Sequence, residues 1–179
     1  MRTPMRLVII GAIAALFLSI TGLTATSAQS TLTSEQTRRI SANCISIKNT
    51  LNQLHASDAL LRVNRGQIYE TMNTKLMDRF NARLQSNNLD ATGTLAVTNS
   101  YRSTLATFRT DYQAYERQLS AAIKIDCSEK PAEFHAAIED ARSKREKVHN
   151  DVIRLHRYID DYRSAVNDFF INFQRVVGE

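Results

Sequence analysis

The chain has 179 residues, of which 43% are hydrophobic and 23% are charged, and its formal net charge at pH 7 is +5. Without the first 28 residues, which hold Arg2 and Arg6, the number of Lys and Arg residues falls from 23 to 21, against 18 acidic residues. The remaining surplus of three positive charges is too small to indicate nucleic acid as a partner. Only five glycines, two prolines and no tryptophan are present, which is typical of long uninterrupted helices.

Residues 1–28 are arranged like a secretory signal. Basic residues come first, an apolar stretch covers 7–23, and small residues occupy 25–28. This order predicts cleavage after Ala28. An uncleaved membrane anchor is the alternative, because 17 mostly apolar residues just reach the length that spans a bilayer. In both cases we expect an exported protein, extracellular or in the cell envelope, whose membrane contact is confined to this segment.

The first predicted helix covers residues 33–86. Thr33 and Gln36 have the spacing of a capping box, and apolar residues then follow along one helical face, mostly at steps of three and four. They are Ile40, Cys44, Ile47, Leu51, Leu54, Leu61, Ile68, Met72, Leu76, Phe80 and Leu84. Asn87 or Asn88 is expected to end the helix in the left-handed conformation.

A second helix is predicted over residues 91–125, where one face carries uncharged side chains at strict three-four spacing. These are Thr98, Tyr101, Leu105, Phe108, Tyr112, Tyr115, Leu119 and Ala122. A third helix is predicted over 131–175, because Pro131 suits a first helical position and another stripe follows it. That stripe is Ile138, Ala141, Arg145, Val148, Val152, Leu155, Ile159, Tyr162, Val166, Phe169 and Phe173.

The connections between these three helices are short, so neighbouring helices should run antiparallel. Residues 29–179 are therefore predicted to form a single all-α domain. Its architecture is expected to be an elongated antiparallel three-helix bundle or coiled coil, because each helix carries one apolar seam for its partners.

Cys44 and Cys127 are the two cysteines of the chain. An even count in an exported protein indicates a disulfide, and Cys127 lies in a predicted turn, which is an unfavourable place for a core thiol. Two buried free thiols are the alternative, because cysteine is common at core positions and Cys44 lies on the first apolar stripe. The register of the helices makes the bridge feasible, and we predict it.

The middle of helix one interrupts its apolar stripe with a polar zone at residues 58–67. Its polar members and its glycine are Asp58, Arg62, Asn64, Arg65, Gly66 and Gln67. The register set by the short loops places Asp58 level with Arg145, and Arg65 level with Glu116. We therefore expect two ion pairs, Asp58 with Arg145 and Arg65 with Glu116.

The polar zone has two interpretations. In the structural one, both ion pairs form at the seam, and Gly66 makes room for the ring of Tyr112 or Tyr115 on helix two. In the functional one, the aspartate and the two arginines contact a small molecule. Buried charge is rare unless it is paired, and polar seam residues often set register, so the sequence favours the structural interpretation.

Three phenylalanines lie near the end of helix three. Phe169 and Phe173 continue the apolar stripe, and Phe170 lies beside it. We expect them to cap the core together with Phe80. An exposed apolar patch for a protein partner is the alternative.

The sequence offers little for metal or cofactor chemistry. Glu146 and His149 form one Glu-x-x-His pair, whereas a di-iron bundle needs two. The other histidines have no metal-ligand spacing to one another, and no phosphate-binding loop is present. We therefore predict no metal, no cofactor and no catalytic residue.

The run LNQLHASDALLRVNRGQIYETMNTKLMDRF at 51–80 resembles a stretch found in uncharacterised exported, all-helical proteins of small-genome, candidate-phylum bacteria. The likeness extends to ANC at 42–44, IDC at 125–127 and YIDDYRSA at 158–165. It implies export and an all-helical build, and it carries no functional residue to this chain.

Together these patterns predict a non-enzymatic, extracytoplasmic helical protein that acts by surface interaction in the cell envelope, through a protein partner or self-association. Two alternatives stay open. A holdase-like exported chaperone would be favoured by an exposed patch at 169–173. A small-molecule sensor would be favoured by a pocket with unpaired charges at the polar zone.

Overall fold

The computed structural model describes residues 32–178. Its helices are α1 (Ser34–Ala42), α2 (Cys44–Thr71), a π-helical segment (Met72–Met77), α3 (Asp78–Ser86), α4 (Thr92–Lys124) and α5 (Pro131–Val177). No strand occurs in this range, so the all-α prediction is confirmed. The predicted signal at 1–28 lies outside the described residues. Between 32 and 178, no helix has both the length and the apolar character needed to cross a membrane.

The first predicted helix begins as expected but is not continuous. Thr33 and Gln36 form both bonds of the capping box, with Gln36 N donating to Thr33 Oγ1 and Thr33 N donating to Gln36 Oε1. The helix is interrupted at Asn43, whose φ and ψ are −107° and 14°. It then widens into the π segment. The prediction of one regular helix over 33–86 is therefore wrong at these two places.

The first connection is built as the sequence indicates. Asn88 takes the left-handed conformation, with φ of 54°, and Leu89 N donates to Leu84 O at 2.9 Å, a bond that satisfies a carbonyl at the end of α3. Asp90 Oδ1 then accepts from Thr92 N at 2.9 Å. These bonds turn the chain within five residues into α4.

All eight residues of the α4 stripe are buried, which confirms that prediction. Three clusters of buried side chains make up the core of α1–α5. They are centred on Cys44, Cys127 and Phe134; on Tyr112, Tyr115, Leu119 and Ala141; and on Tyr69, Met77, Tyr101, Leu105, Phe108, Leu155 and Tyr162. Residue numbers rise along α5 from the first cluster to the third and fall along α4 from the second to the third, so these two helices run antiparallel.

The buried face of α2 and the π segment differs from the predicted stripe. Leu61, Ile68 and Leu76 are 51%, 56% and 48% exposed. Between residues 61 and 81, the buried side chains are Tyr69 of α2, Asn73 and Met77 of the π segment, and Asn81 of α3. Steps of four drift around an α-helix by about 40° each, and the wider turn of the π segment takes up that drift, so these four residues share one face.

Tyrosine hydroxyls from α4 and α5 fasten the π segment at both ends. Tyr101 Oη donates to Tyr69 O at 3.0 Å, and Tyr162 Oη lies 3.3 Å from Met77 O and 3.2 Å from Asn81 Oδ1. Asn81 Nδ2 in turn donates to Thr98 Oγ1 at 2.8 Å. The C-terminal end of α2 is thereby held against both α4 and α5.

The N-terminal end of α2 is held by the disulfide between Cys44 and Cys127, whose Cα atoms are 5.4 Å apart. The predicted bridge is therefore present. Both cysteines are buried beside Phe134, and Lys48 Nζ donates to Ile125 O at 3.2 Å. The chain between α4 and α5 is thus bound to the start of α2.

Candidate functional site

A cavity of about 600 Å³ lies between α2, α4 and α5, and we call it the central cavity. It occupies the stretch between the two fastened ends of α2. Its lining residues are Asp58, Leu61, Arg62, Arg65 and Tyr69 of α2, Phe108, Tyr112 and Tyr115 of α4, and Arg142, Arg145, Glu146, Val148, His149 and Val152 of α5. Three residues of the polar zone, Asp58, Arg62 and Arg65, therefore lie on one wall of the cavity.

The cavity exists because α2 does not pack tightly at this level. Every residue from 60 to 65 is exposed, whereas α4 keeps a buried face throughout. Two leucines of this stretch, Leu60 and Leu61, are more than half exposed. A packed amphipathic helix buries its apolar stripe, and Leu61 belongs to the predicted stripe, so its exposure indicates that α2 stands away from α4 and α5 here.

Asp58 joins the three helices at one end of the cavity. Its Oδ2 atom accepts from Tyr115 Oη at 2.6 Å and from Arg145 Nε at 3.0 Å, which confirms the predicted pair with Arg145. The Asp58 side chain is only 12% exposed, against 54% for Arg145. Burial, with the Asp58 bond second, raises the pKa of Tyr115. The bond to Asp58 raises the pKa of Arg145.

The other predicted pair is wrong. Within 32–178, Arg65 and Glu116 form no ion pair. Arg65 lies instead on the cavity wall beside Tyr69, where burial raises the pKa of the Tyr69 hydroxyl and Arg65 partly offsets that rise. Arg65 belongs to the exposed stretch of α2 that stands away from α4, so its side chain does not pair with Glu116.

Gly66 does not have the packing role that the structural interpretation gave it. A Cβ atom built at Gly66 would meet nothing within 4 Å, so no tyrosine ring packs into the space of a missing side chain. Glycine inside a helix weakens it relative to alanine. The glycine therefore lowers the stability of α2 at the cavity without a packing gain.

The cavity carries more positive than negative charge. Among its four arginines, Arg145 is paired with Asp58 and Arg142 with Glu139. Arg62 and Arg65 take part in no ion pair within the described range. The Arg62 guanidinium instead lies over the ring of Tyr112, 5.1 Å from its centroid, a cation–π arrangement.

Rings line the wall opposite α5. Successive ring centroids along Tyr69, Phe108, Tyr112 and Tyr115 are 5.7, 6.4 and 6.1 Å apart. Val148 and Val152 face them from α5. The cavity is thus an apolar slot with aromatic walls and two guanidinium groups of α2 along it.

The phenylalanines of α5 divide between the two expectations. Phe169 packs edge-on to Phe80, with ring centroids 6.0 Å apart, and so caps the core. Phe170 and Phe173 also contact this cap, with ring centroids 6.3 Å from Phe80 and 5.8 Å from Phe169 respectively, but they remain 49% and 39% exposed. Ile171, Val176 and Val177 of the same helix end are also exposed, and we call these five apolar residues the C-terminal patch.

Glu146 and His149 are exposed and line the central cavity. Over the described part of the chain, no group of three or more His, Cys, Asp or Glu residues is placed to hold a metal ion.

Some residues of the cavity were not singled out from the sequence. Tyr69, Phe108 and Arg142 are examples, and only the arginine had a local signal. Two arginine pairs at a spacing of three, 62 with 65 and 142 with 145, place positive charge on one face of each helix. No family model matches the chain, and neither curated proteins nor solved structures provide a match.

Proposed function

We propose that the protein is a non-enzymatic, exported helical protein that binds a small molecule in the central cavity. Its architecture in this proposal is an elongated antiparallel three-helix bundle, with α1 to α3 as one rod and α4 and α5 as the other two. Binding, rather than surface contact alone, becomes the preferred function because the polar zone lines a cavity and two of its charges are unpaired.

The observation that carries the proposal is the cavity itself. A volume of about 600 Å³ falls within the range of small-molecule sites, which are concave, mostly apolar and supplied with a few polar groups. Asp58 has both carboxylate oxygens engaged by Tyr115 and Arg145. It is therefore suited to shaping the site rather than to acting as a base.

The disulfide supports the proposed compartment. Disulfides form and persist in oxidising environments outside the cytoplasm, and Cys44 and Cys127 are joined. The secretory pattern of 1–28 and the resemblance to exported helical proteins point the same way. We therefore place the function in the cell envelope or outside the cell.

Leu60 and Leu61 offer a matched test of the cavity. Both are exposed, but only Leu61 lines the cavity. N-phenyl-1-naphthylamine, a neutral fluorescent probe, should bind at one saturable site in the wild type and in Leu60→Asp. In Leu61→Asp its affinity should fall about tenfold or more, because contact with a leucine side chain contributes about 1.5–3 kcal/mol. An absence of saturable binding, or equal losses in both variants, would refute the proposal.

The C-terminal patch supports a second candidate function, which is interaction with a protein partner, self-association or holdase-like chaperone activity. Exposed apolar patches mark such surfaces. The double variant Phe170→Ser and Phe173→Ser should then lose the ability to suppress aggregation of a reduced model client or to self-associate in sedimentation. Unchanged behaviour of that variant would exclude the patch as the active surface.

A further inference from the structure

We propose that the ligand of the central cavity is an aromatic monocarboxylate, with its carboxylate between Arg62 and Arg65 and its ring against the aromatic wall. This assignment rests on the proposed function and names the chemistry of that same site.

The cavity arginines that form no ion pair between 32 and 178 indicate where the anion binds. Arg142 and Arg145 already face carboxylates of this chain, whereas Arg62 and Arg65 face none between 32 and 178. Residues three apart lie on the same face of a helix, and both line the cavity. Two guanidinium forks at this spacing can donate to the two oxygens of one planar carboxylate.

The surroundings favour a single negative charge over two. Glu146 lines the same cavity and repels a dianion, and the Asp58 carboxylate lies at one end of it. Most of the remaining wall is apolar, so it gives no compensation for the removal of water from a second charge. A carboxylate therefore fits this site better than a phosphate monoester.

The aromatic side chains of the cavity indicate the structure of the non-polar part of the ligand. Tyr69, Phe108 and Tyr112 present a continuous aromatic surface, and the valines at 148 and 152 close the slot from α5. A flat ring packs in offset or edge-on contact with such a surface. An aliphatic chain of the same volume gains only the burial of its area.

Binding should also close the gap at α2. Both arginines lie within the exposed stretch 60–65 of α2, whereas three of the four rings belong to α4 and the two valines belong to α5. A ligand that contacts both sides binds only the folded arrangement. The melting temperature should therefore rise with ligand concentration.

The test is calorimetric titration of the exported, disulfide-bonded protein with four probes. These are 2-naphthoate, its neutral analogue 2-naphthylmethanol, the aliphatic anion decanoate and the dianion 2-naphthyl phosphate. We expect 2-naphthoate to bind at least about tenfold more tightly than each of the others, because it alone combines one charge with a flat ring.

Two variants test whether the affinity for 2-naphthoate depends on Arg62 and Arg65. Arg62→Gln and Arg65→Gln should each weaken 2-naphthoate about tenfold or more, with 2-naphthylmethanol nearly unchanged. Arg79→Gln removes the same charge from an exposed position outside the cavity and should leave 2-naphthoate binding as in the wild type. Circular dichroism of each variant checks that it folds.

Each contrary result has a defined meaning. Equal or tighter binding of the alcohol, the decanoate or the phosphate overturns the assignment of an aromatic monocarboxylate. Binding of the neutral N-phenyl-1-naphthylamine without binding of 2-naphthoate overturns the ligand class and leaves cavity binding intact. Failure of all five compounds to bind overturns the proposed function as well.

Discussion

The hydroxyl of Tyr115 on α4 donates a hydrogen bond of 2.6 Å to Asp58 Oδ2 on α2. Arg145 of α5 shares the same oxygen, so one carboxylate connects three helices at the edge of the central cavity. The two donors differ in burial, because Tyr115 is 3% exposed whereas the Arg145 side chain is 54% exposed. Most of the stabilisation from this cluster should therefore come from the hydrogen bond between Tyr115 and Asp58.

The first prediction concerns this cluster. Asp58→Ala leaves a buried tyrosine hydroxyl without its acceptor and should lower the free energy of unfolding by about 1–3 kcal/mol. Arg145→Gln should cost under about 1 kcal/mol, because an exposed ion pair contributes little. In a double-mutant cycle with urea unfolding, Asp58→Ala and Tyr115→Phe should cost less together than the sum of their separate effects. An Asp58→Ala protein as stable as the wild type would show that Asp58 does not act structurally.

The helices were predictable from the sequence where packing is regular. Strict three-four spacing and burial coincide at all eight positions of the α4 stripe, because α4 packs closely against α5. The stripe predicted for the first helix failed beyond α2, because the buried face of the π segment and of α3 includes Asn73 and Asn81. The bond of Asn81 to Thr98 and its contact with Tyr162 come from other helices, and local sequence does not reveal them.

The candidate site was predictable only in part, for a related reason. Axial register was enough to place Asp58 beside Arg145, because the long arginine side chain reaches from α5 to the Asp58 carboxylate on α2. It failed for Arg65, which lies where α2 stands away from α4. A cavity is a gap among three helices, and no periodicity in one of them specifies it. The sequence indicated the site only through the polar zone that interrupts the apolar stripe of the first helix.

The second prediction concerns Gly66. Gly66→Ala should raise the free energy of unfolding by about 0.5–1 kcal/mol, because alanine favours the helix and its Cβ meets no atom within 4 Å. Gly93→Ala, for which the added Cβ is equally free, is the control near a helix start and should change less. Urea denaturation measures both. A less stable Gly66→Ala protein would mean that α2 is not regularly helical at this position in solution.

The third prediction concerns the disulfide. Cys44 and Cys127 are 83 residues apart in sequence, and a loop of that length corresponds to about 4.5 kcal/mol in the chain-entropy treatment of the unfolded state. The double variant Cys44→Ser and Cys127→Ser should lose up to this amount in urea denaturation. Thiol titration of the non-reduced exported protein should find no free thiol. Two free thiols in that protein would contradict the bridge.

The last prediction follows from Asp151 on α5, which is fully buried. Its Oδ1 atom accepts from Arg154, whereas Oδ2 has no hydrogen-bond donor. Burial raises the pKa of Asp151 above its ordinary value of 3.8, the bond to Arg154 opposes the rise, and nearby Asp111 adds to it. The folded protein therefore holds this proton more tightly than the unfolded chain does.

The sign of the pH dependence follows from that difference in proton affinity. The contribution of Asp151 to stability is fully present below pH 3.8 and is lost as the pH rises to the higher pKa of the folded state. Asp151→Asn keeps an uncharged side chain at every pH, so it should exceed the wild type in free energy of unfolding at pH 7 by more than it does at pH 3. Asp160→Asn, an exposed position on the same helix, is the control. Urea denaturation across this pH range would contradict the assignment if the difference between Asp151→Asn and wild type were constant or grew on acidification.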